Sequence, residues 1–226
     1  MGEVIRSRSD RADIVADARK TLEAARLRGA DFAGPAEERL APTLEIYKGI
    51  ASELETKREA LMPLRIAVDK ANADSDDVIT IEIEGLYNLA GRRRNDPWLA
   101  TLAPGGASAY VDGSTAEQPV RMTLFANLLR KIGHRQIDKA ETDAAADRIE
   151  AAAKPLAEAL QALAGPAAEV ALLDRVTTAL ARTLQMELVN LKRLWKAQGA
   201  SEADIHSMIP DRPSATSRPA PQPTAA

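Results

Sequence analysis

A long apolar seam with heptad-like spacing constrains the fold of this chain more than any other feature. Between residues 36 and 72, seam positions recur at alternating intervals of three and four, the spacing of a helix face that packs along another helix. At 1.5 Å per residue, this pattern predicts a helix of roughly 55 Å with a partner along most of its length. The seam consists of Tyr47, Ile50, Leu54, Lys57, Leu61, Leu64, Val68 and Ala71. Because Lys57 interrupts the apolar series, we expect its long stem to reach the edge of the seam.

Other segments show the same helical period, and the composition agrees with it. Aromatic residues make up only 3% of the chain, so the core must be built from aliphatic side chains and closely approaching alanines. Apolar spacing and turn residues place the predicted helices at about 9–28, 36–72, 76–90, 117–132, 136–164 and 167–198. Gly165 and Pro166 are interpreted as a turn, which would make the last two helices antiparallel. The prediction is an all-α, elongated antiparallel bundle of about five to six helices, partly of coiled-coil type.

The segment 78–84 is compatible with two structures. Its isoleucines alternate with polar residues, which is typical of a half-buried strand. Ile79 and Ile83, together with Leu86 and Tyr87, also form a helical stripe, and Ser75 or Asp76 would cap such a helix. We favour the helix, because the chain offers no convincing partner strand.

Residues 91–115 interrupt the helical pattern and are the predicted contact region. The segment holds four of the 12 glycines, and it is interpreted as one long Gly/Pro-rich loop. Arginine and tryptophan are the residues most enriched at protein interaction hot spots. The candidate partner-binding residues are therefore Arg92, Arg93, Arg94, Trp98 and Tyr110.

The sequence contains no residue set for a recognised reaction or cofactor. It has no cysteine and only two histidines, His134 and His206, and neither has the neighbours of a known zinc or di-iron motif. The Gly105–Gly106 pair lacks the rest of a phosphate-binding loop. We therefore predict a non-enzymatic protein without metal or cofactor; an enzyme that uses Asp96 or Asp112 is a third alternative.

Charge and hydropathy restrict the partners and the compartment. With a net charge of −3, the chain as a whole has no electrostatic attraction for nucleic acid or anionic membranes. No run of 18 consecutive apolar residues is present, so no transmembrane segment and a cytoplasmic location are expected. Local basic groups leave an alternative: a nucleic-acid or anionic-membrane-surface module that uses Arg92–Arg94 and a basic helix over 121–135.

The leading hypothesis is a helical scaffold or protein-interaction protein, with self-association as one form that the interaction could take. Its partners would bind the long helix faces and the 91–115 loop. Residues 1–208 are predicted to form a single helical-bundle domain, with the first helix at about 9–28 as a flank. Residues 209–226, which are rich in proline, are predicted to be a disordered tail.

Overall fold

Helices account for all regular structure in the part of the chain that the computed structural model describes, residues 10–92 and 96–210. The predicted all-α fold with long packed helices is confirmed, and residues 78–84 lie inside a helix rather than a strand. The seven helices of this part are α1 (Arg11–Arg28), α2 (Ala30–Leu89), α3 (Pro97–Leu102), α4 (Ser108–Val111), α5 (Gln118–Lys131), α6 (Lys139–Ala197) and α7 (Glu202–Met208).

Helices α2 and α6 are longer than the sequence pattern predicts, with 60 and 59 residues. The turn predicted at Gly165 and Pro166 is wrong, because α6 continues through both residues and through Pro155. Gly165 has no left-handed backbone angle and has open space around its α-carbon. A proline inside a helix removes one hydrogen bond and costs about 3 kcal/mol. Buried Ala153 and Leu156 support the helix at Pro155, whereas residues 157–169, around Pro166, hold no buried side chain.

The chain divides into two compact units, to which α2 and α6 both contribute. Unit 1 consists of residues 1–56 and 170–226, and unit 2 consists of residues 57–169.

Helix α1 contributes several side chains to the core of unit 1. Asp10 caps α1 by accepting a hydrogen bond from the backbone N–H of Ala12. The apolar face of α1 is buried in this core. Phe32 packs edge-on against fully buried Trp195, with 5.7 Å between ring centroids. The core of unit 1 contains Ile14, Val15, Ala18, Leu22, Ala25, Ala36, Leu40, Leu44, Ala181, Leu184, Leu188, Leu191, Trp195, Ile205, Met208 and Ile209.

The core of unit 1 extends to residue 209, the predicted start of the C-terminal tail. Ile209 is fully buried in the core after α7, although the sequence placed it in the tail. The rest of the predicted tail, from residue 211 onward, lies outside the described residues.

Unit 2 is built on an antiparallel pair formed by α2 and α6. Lys57 donates to Glu169 at 2.7 Å, and Arg148 donates to Glu82 at 2.6 Å, so the two helices run in opposite directions. Lys57 is part-exposed, and its ammonium group reaches the edge of the seam as predicted. Helices α3, α4 and α5 complete the core. It contains Ile79, Ile83, Leu86, Ala90, Trp98, Leu102, Ala103, Tyr110, Met122, Phe125, Ala126, Leu129, Ile137, Ala145, Ala146, Ile149 and Ala153.

Candidate functional site

Two of the predicted contact residues, Trp98 and Tyr110, belong to the core of unit 2. They are only 9% and 7% exposed. The indole N–H of Trp98 donates to the carbonyl of Ile132 at 2.7 Å, which ties α3 to the end of α5. Tyr110 stacks on Phe125 with centroids 4.5 Å apart. Its hydroxyl donates to the carbonyl of Leu102, and burial raises its pKa.

The predicted loop 91–115 therefore needs correction. Within it, α3 and α4 form and pack against α5. The sequence could not show this because helices of six and four residues leave too short a periodic pattern. The aromatic side chains that suggested a contact surface serve instead to bury this segment.

A buried carboxylate begins α3. Asp96 accepts hydrogen bonds from the backbone N–H groups of Trp98 and Leu99, at 3.0 and 3.2 Å. The imidazole of His134 lies 3.7 Å from the same carboxylate, and both side chains are buried. Burial acts to raise the pKa of Asp96, but the hydrogen bonds from Leu99 and Trp98 and the nearby His134 outweigh it and lower that pKa. The arrangement is a helix cap with a histidine beside it.

The arginine cluster is only partly described. Arg92 has a left-handed backbone angle of 56° and donates to the side chain of Asn88 at 2.8 Å. This contact follows the end of α2, as expected for a residue near a helix C-terminus. The predictions for Arg93 and Arg94 fall outside the described residues.

Two of the four arginine and lysine residues of 121–135 make contacts within unit 2. Arg130 donates to Asp147 and Glu150, at 2.7 Å each, and these bonds raise its pKa. The guanidinium group of Arg121 donates to the carbonyl of Ser114 at 3.2 Å. Lys131 and Arg135 remain exposed. The surface available for a polyanion is therefore smaller than the sequence suggests.

An apolar groove lies between α2 and α6 in unit 2. Its volume is about 730 Å³, within the range of binding pockets in proteins. Five of the twelve lining residues are alanines, and such small residues leave space between two helices that a larger side chain would fill. The lining residues are Ala67, Lys70, Ala71, Asp74, Val78, Ile81, Glu82, Arg148, Ala151, Ala152, Pro155 and Ala159.

The charged side chains of this groove differ in whether they form an ion pair. Glu82 and Arg148 form a two-bond pair at 2.6 and 2.8 Å, so their charges neutralise each other. Lys70 and Asp74 are exposed one helical turn apart on α2. Ile81, in the same lining, is 63% exposed. The groove therefore offers an apolar floor beside an exposed lysine and an exposed aspartate that form no ion pair among the described residues.

Helix α5 is held on α2 by a buried amide. The side chain of Gln118 donates to Ser75 at 3.0 Å and to Asp76 at 2.5 Å. These bonds fix the start of α5 on α2. The groove is lined by α2 and α6 alone, so α5 does not cover it.

Helix α6 is long and apolar enough, by length and composition alone, to cross a membrane. Only 6% of the apolar window that meets this criterion is buried within the described structure. The sequence analysis expected no transmembrane segment because no run of 18 consecutive apolar residues is present. Helix α6 instead meets a criterion of mean hydropathy over 18 residues, which allows up to two charged residues. One helix of this kind is weak evidence for a membrane span, because soluble core helices can meet the same criterion.

The structure and the comparisons with known proteins do not add a chemical site. Within residues 10–92 and 96–210, no group of three or more His, Asp or Glu side chains could hold a metal ion. No family model, curated protein or solved structure shows significant similarity to this chain. The candidate functional surface is therefore the alanine-lined groove, which sequence reasoning missed. A signal existed in the recurrence of small residues on one face of each helix, including Ala67, Ala71 and Ala159.

Proposed function

We propose that this chain is a non-enzymatic helical interaction protein that binds partner helices in the α2–α6 groove of unit 2. The groove is the observation that supports this proposal, because it leaves an apolar surface open between two long helices. A third helix lies in such a groove when its apolar side chains fill the space between the alanines. The predicted role of residues 91–115 is not part of the proposal, since Trp98 and Tyr110 are buried.

Eight of the twelve residues that line the groove carry no group for acid–base or nucleophilic chemistry. Ala71, Ala152 and Ala159 are chemically inert, and Glu82 is neutralised by Arg148. Apolar lining favours partners whose contact is mainly hydrophobic burial. We therefore prefer a protein partner to a reacting small molecule, and the chain's predicted scaffold role and cytoplasmic location remain part of this proposal.

The alternative, a module for nucleic acid or anionic membrane surfaces, receives less support. It depends on basic groups that are free to contact phosphates. Arg130 is held by two carboxylates, and Arg121 contacts the backbone of Ser114. Lys131 and Arg135 alone would give a small basic surface.

A pair of matched lysine substitutions tests the proposed groove. In Ala159→Lys, a charged side chain enters the groove from α6, so captured partner protein should fall strongly in affinity purification from the native host. Ala164→Lys makes the same change on an exposed residue that does not line the groove. Quantitative mass spectrometry should show normal capture for this control. Equal capture by both variants would rule out the groove as the binding surface.

A further inference from the structure

One face of α2 in unit 2 has a pattern that is nearly symmetric about residue 72. Its positions are spaced by three, four, four, four and three residues. Apolar side chains occupy the two outer positions at each end, and opposite charges occupy the two inner positions. The face consists of Pro63, Ile66, Lys70, Asp74, Val78 and Ile81.

These six side chains emerge on the same side of the helix. From its first position to its last, the face extends over about five turns of an α-helix. Ile66 and Ile81 are 62% and 63% exposed, although isoleucine is usually buried. Val78 is half-buried, and the others are exposed. The face therefore places large apolar groups in solvent on both sides of a charged centre.

The two central charges have no partner of their own. Across residues 10–92 and 96–210, neither Lys70 nor Asp74 takes part in an ion pair or a side-chain hydrogen bond. In the same groove, Glu82 and Arg148 pair closely. Lys70 and Asp74 thus remain available for charges on another molecule.

We propose that a second copy of this chain binds this face, with α2 antiparallel to α2 and a two-fold axis near residue 72. This inference rests on the proposed function and deepens it by naming the partner. In an isologous contact of this kind, a residue a given number of positions before 72 meets the partner's residue the same number after it. Lys70 then meets the second copy's Asp74, and Ile66 meets its Val78. Pro63 meets Ile81, and each contact occurs twice.

The charge pattern favours a second copy over a membrane surface. Anionic membranes attract helices whose polar face is basic, whereas this face carries one positive and one negative charge. The two charges attract their counterparts on another copy only when the second helix is reversed, which is the arrangement that a two-fold axis produces. Lys70, Asp74, Val78 and Ile81 also line the groove, so the second α2 lies across its opening.

Reversing the charge of Lys70 or of Asp74 in the full-length protein tests the proposed two-fold axis. Lys70→Glu places two acidic residues opposite each other twice, and Asp74→Lys does the same with two basic residues. Each variant alone should dimerise about tenfold more weakly than the wild type in size-exclusion chromatography with light scattering.

Mixing the two variants should reverse the loss. In an equimolar mixture, the new acid of one variant meets the new base of the other, and the unchanged Asp74 and Lys70 face each other as in the wild type. Dimers should therefore return. Lys131→Glu, on the exposed surface of α5, is the control and should dimerise normally.

The other outcomes overturn the inference. A wild-type protein that stays monomeric at its highest soluble concentration would exclude self-association, and a dimer insensitive to either reversal would place the axis elsewhere. Sedimentation of monomers with phosphatidylcholine–phosphatidylserine vesicles would favour a membrane instead. If Ala159→Lys loses a host partner while the purified wild type is monomeric, the proposed groove function stands and this inference fails.

Discussion

In unit 2, one segment is more buried than its sequence suggests, and another is more exposed. Residues 96–110, part of the Gly/Pro-rich interruption, contribute the buried side chains of Asp96, Trp98, Leu102, Ala103 and Tyr110. Residues 157–169, in an apolar and alanine-rich stretch of α6, contribute no fully buried side chain. The comparison shows that burial depends on how many neighbouring elements surround a segment as well as on its hydropathy. The short helices α3 and α4 pack on α5, whereas the side chains of residues 157–169 stay exposed or half-buried.

The largest effect should come from removing the indole on the buried side of the comparison. Trp98→Ala leaves a cavity and removes the hydrogen bond to Ile132, so the free energy of unfolding should fall by about 3–5 kcal/mol. Urea denaturation followed by circular dichroism measures this change. Val120→Ala, at a 72% exposed position outside the proposed α2 face, should change it by less than about 0.5 kcal/mol. Similar losses for the two variants would contradict the difference in burial.

A smaller loss should follow when only the hydroxyl of Tyr110 is removed. Tyr110→Phe keeps the stacking on Phe125 but leaves the carbonyl of Leu102 without its donor. We expect the free energy of unfolding to fall by about 1–3 kcal/mol, the cost of an unsatisfied buried acceptor. The same denaturation assay measures it. An unchanged stability would show that the carbonyl of Leu102 reaches water in solution.

On the exposed side of the comparison, a substitution should stabilise the protein. Gly165 lies inside α6 with a helical backbone and open space around its α-carbon. Gly165→Ala should therefore raise the free energy of unfolding by up to about 1 kcal/mol. Thermal unfolding measures the change, with Gly91→Ala as a contrast because the angle of 81° at Gly91 strains any side chain. Destabilisation by Gly165→Ala would indicate that the chain turns at this residue after all.

The smallest effect should be a change of stability with pH that is confined to the acid range. The folded state lowers the pKa of Asp96 below its ordinary value of 3.8. The carboxylate therefore adds stability above that value, and this stability is lost as the pH falls through the folded pKa. The difference in unfolding free energy between wild type and Asp96→Asn should shrink from about pH 5 to about pH 2.5.

Repeating the comparison in a His134→Gln variant separates the two causes of this pH dependence, the backbone hydrogen bonds and the histidine. In His134→Gln, the hydrogen bonds from Trp98 and Leu99 to Asp96 remain. The acid effect of Asp96→Asn should then become smaller and keep its sign. A pH-independent difference in both backgrounds would show that the carboxylate is not stabilised by the fold.

Much of the helical architecture could be predicted from the sequence. Helix α1 (Arg11–Arg28) forms within the predicted span 9–28, where Asp10 caps it. Residues 78–84 are helical, although their alternation also fitted a strand. The candidate site was harder to predict, because a groove is formed by the small residues of two helices far apart in sequence.

The sequence by itself determined that the chain is helical and where most apolar faces lie, because side-chain period and caps are local properties. Only the tertiary structure showed that α6 continues through Gly165 and Pro166, because these residues lower the local preference for a helix without excluding one. It also decided that Trp98 is buried and Ile81 exposed. Burial depends on which other segments lie nearby, and those contacts are not local to either residue.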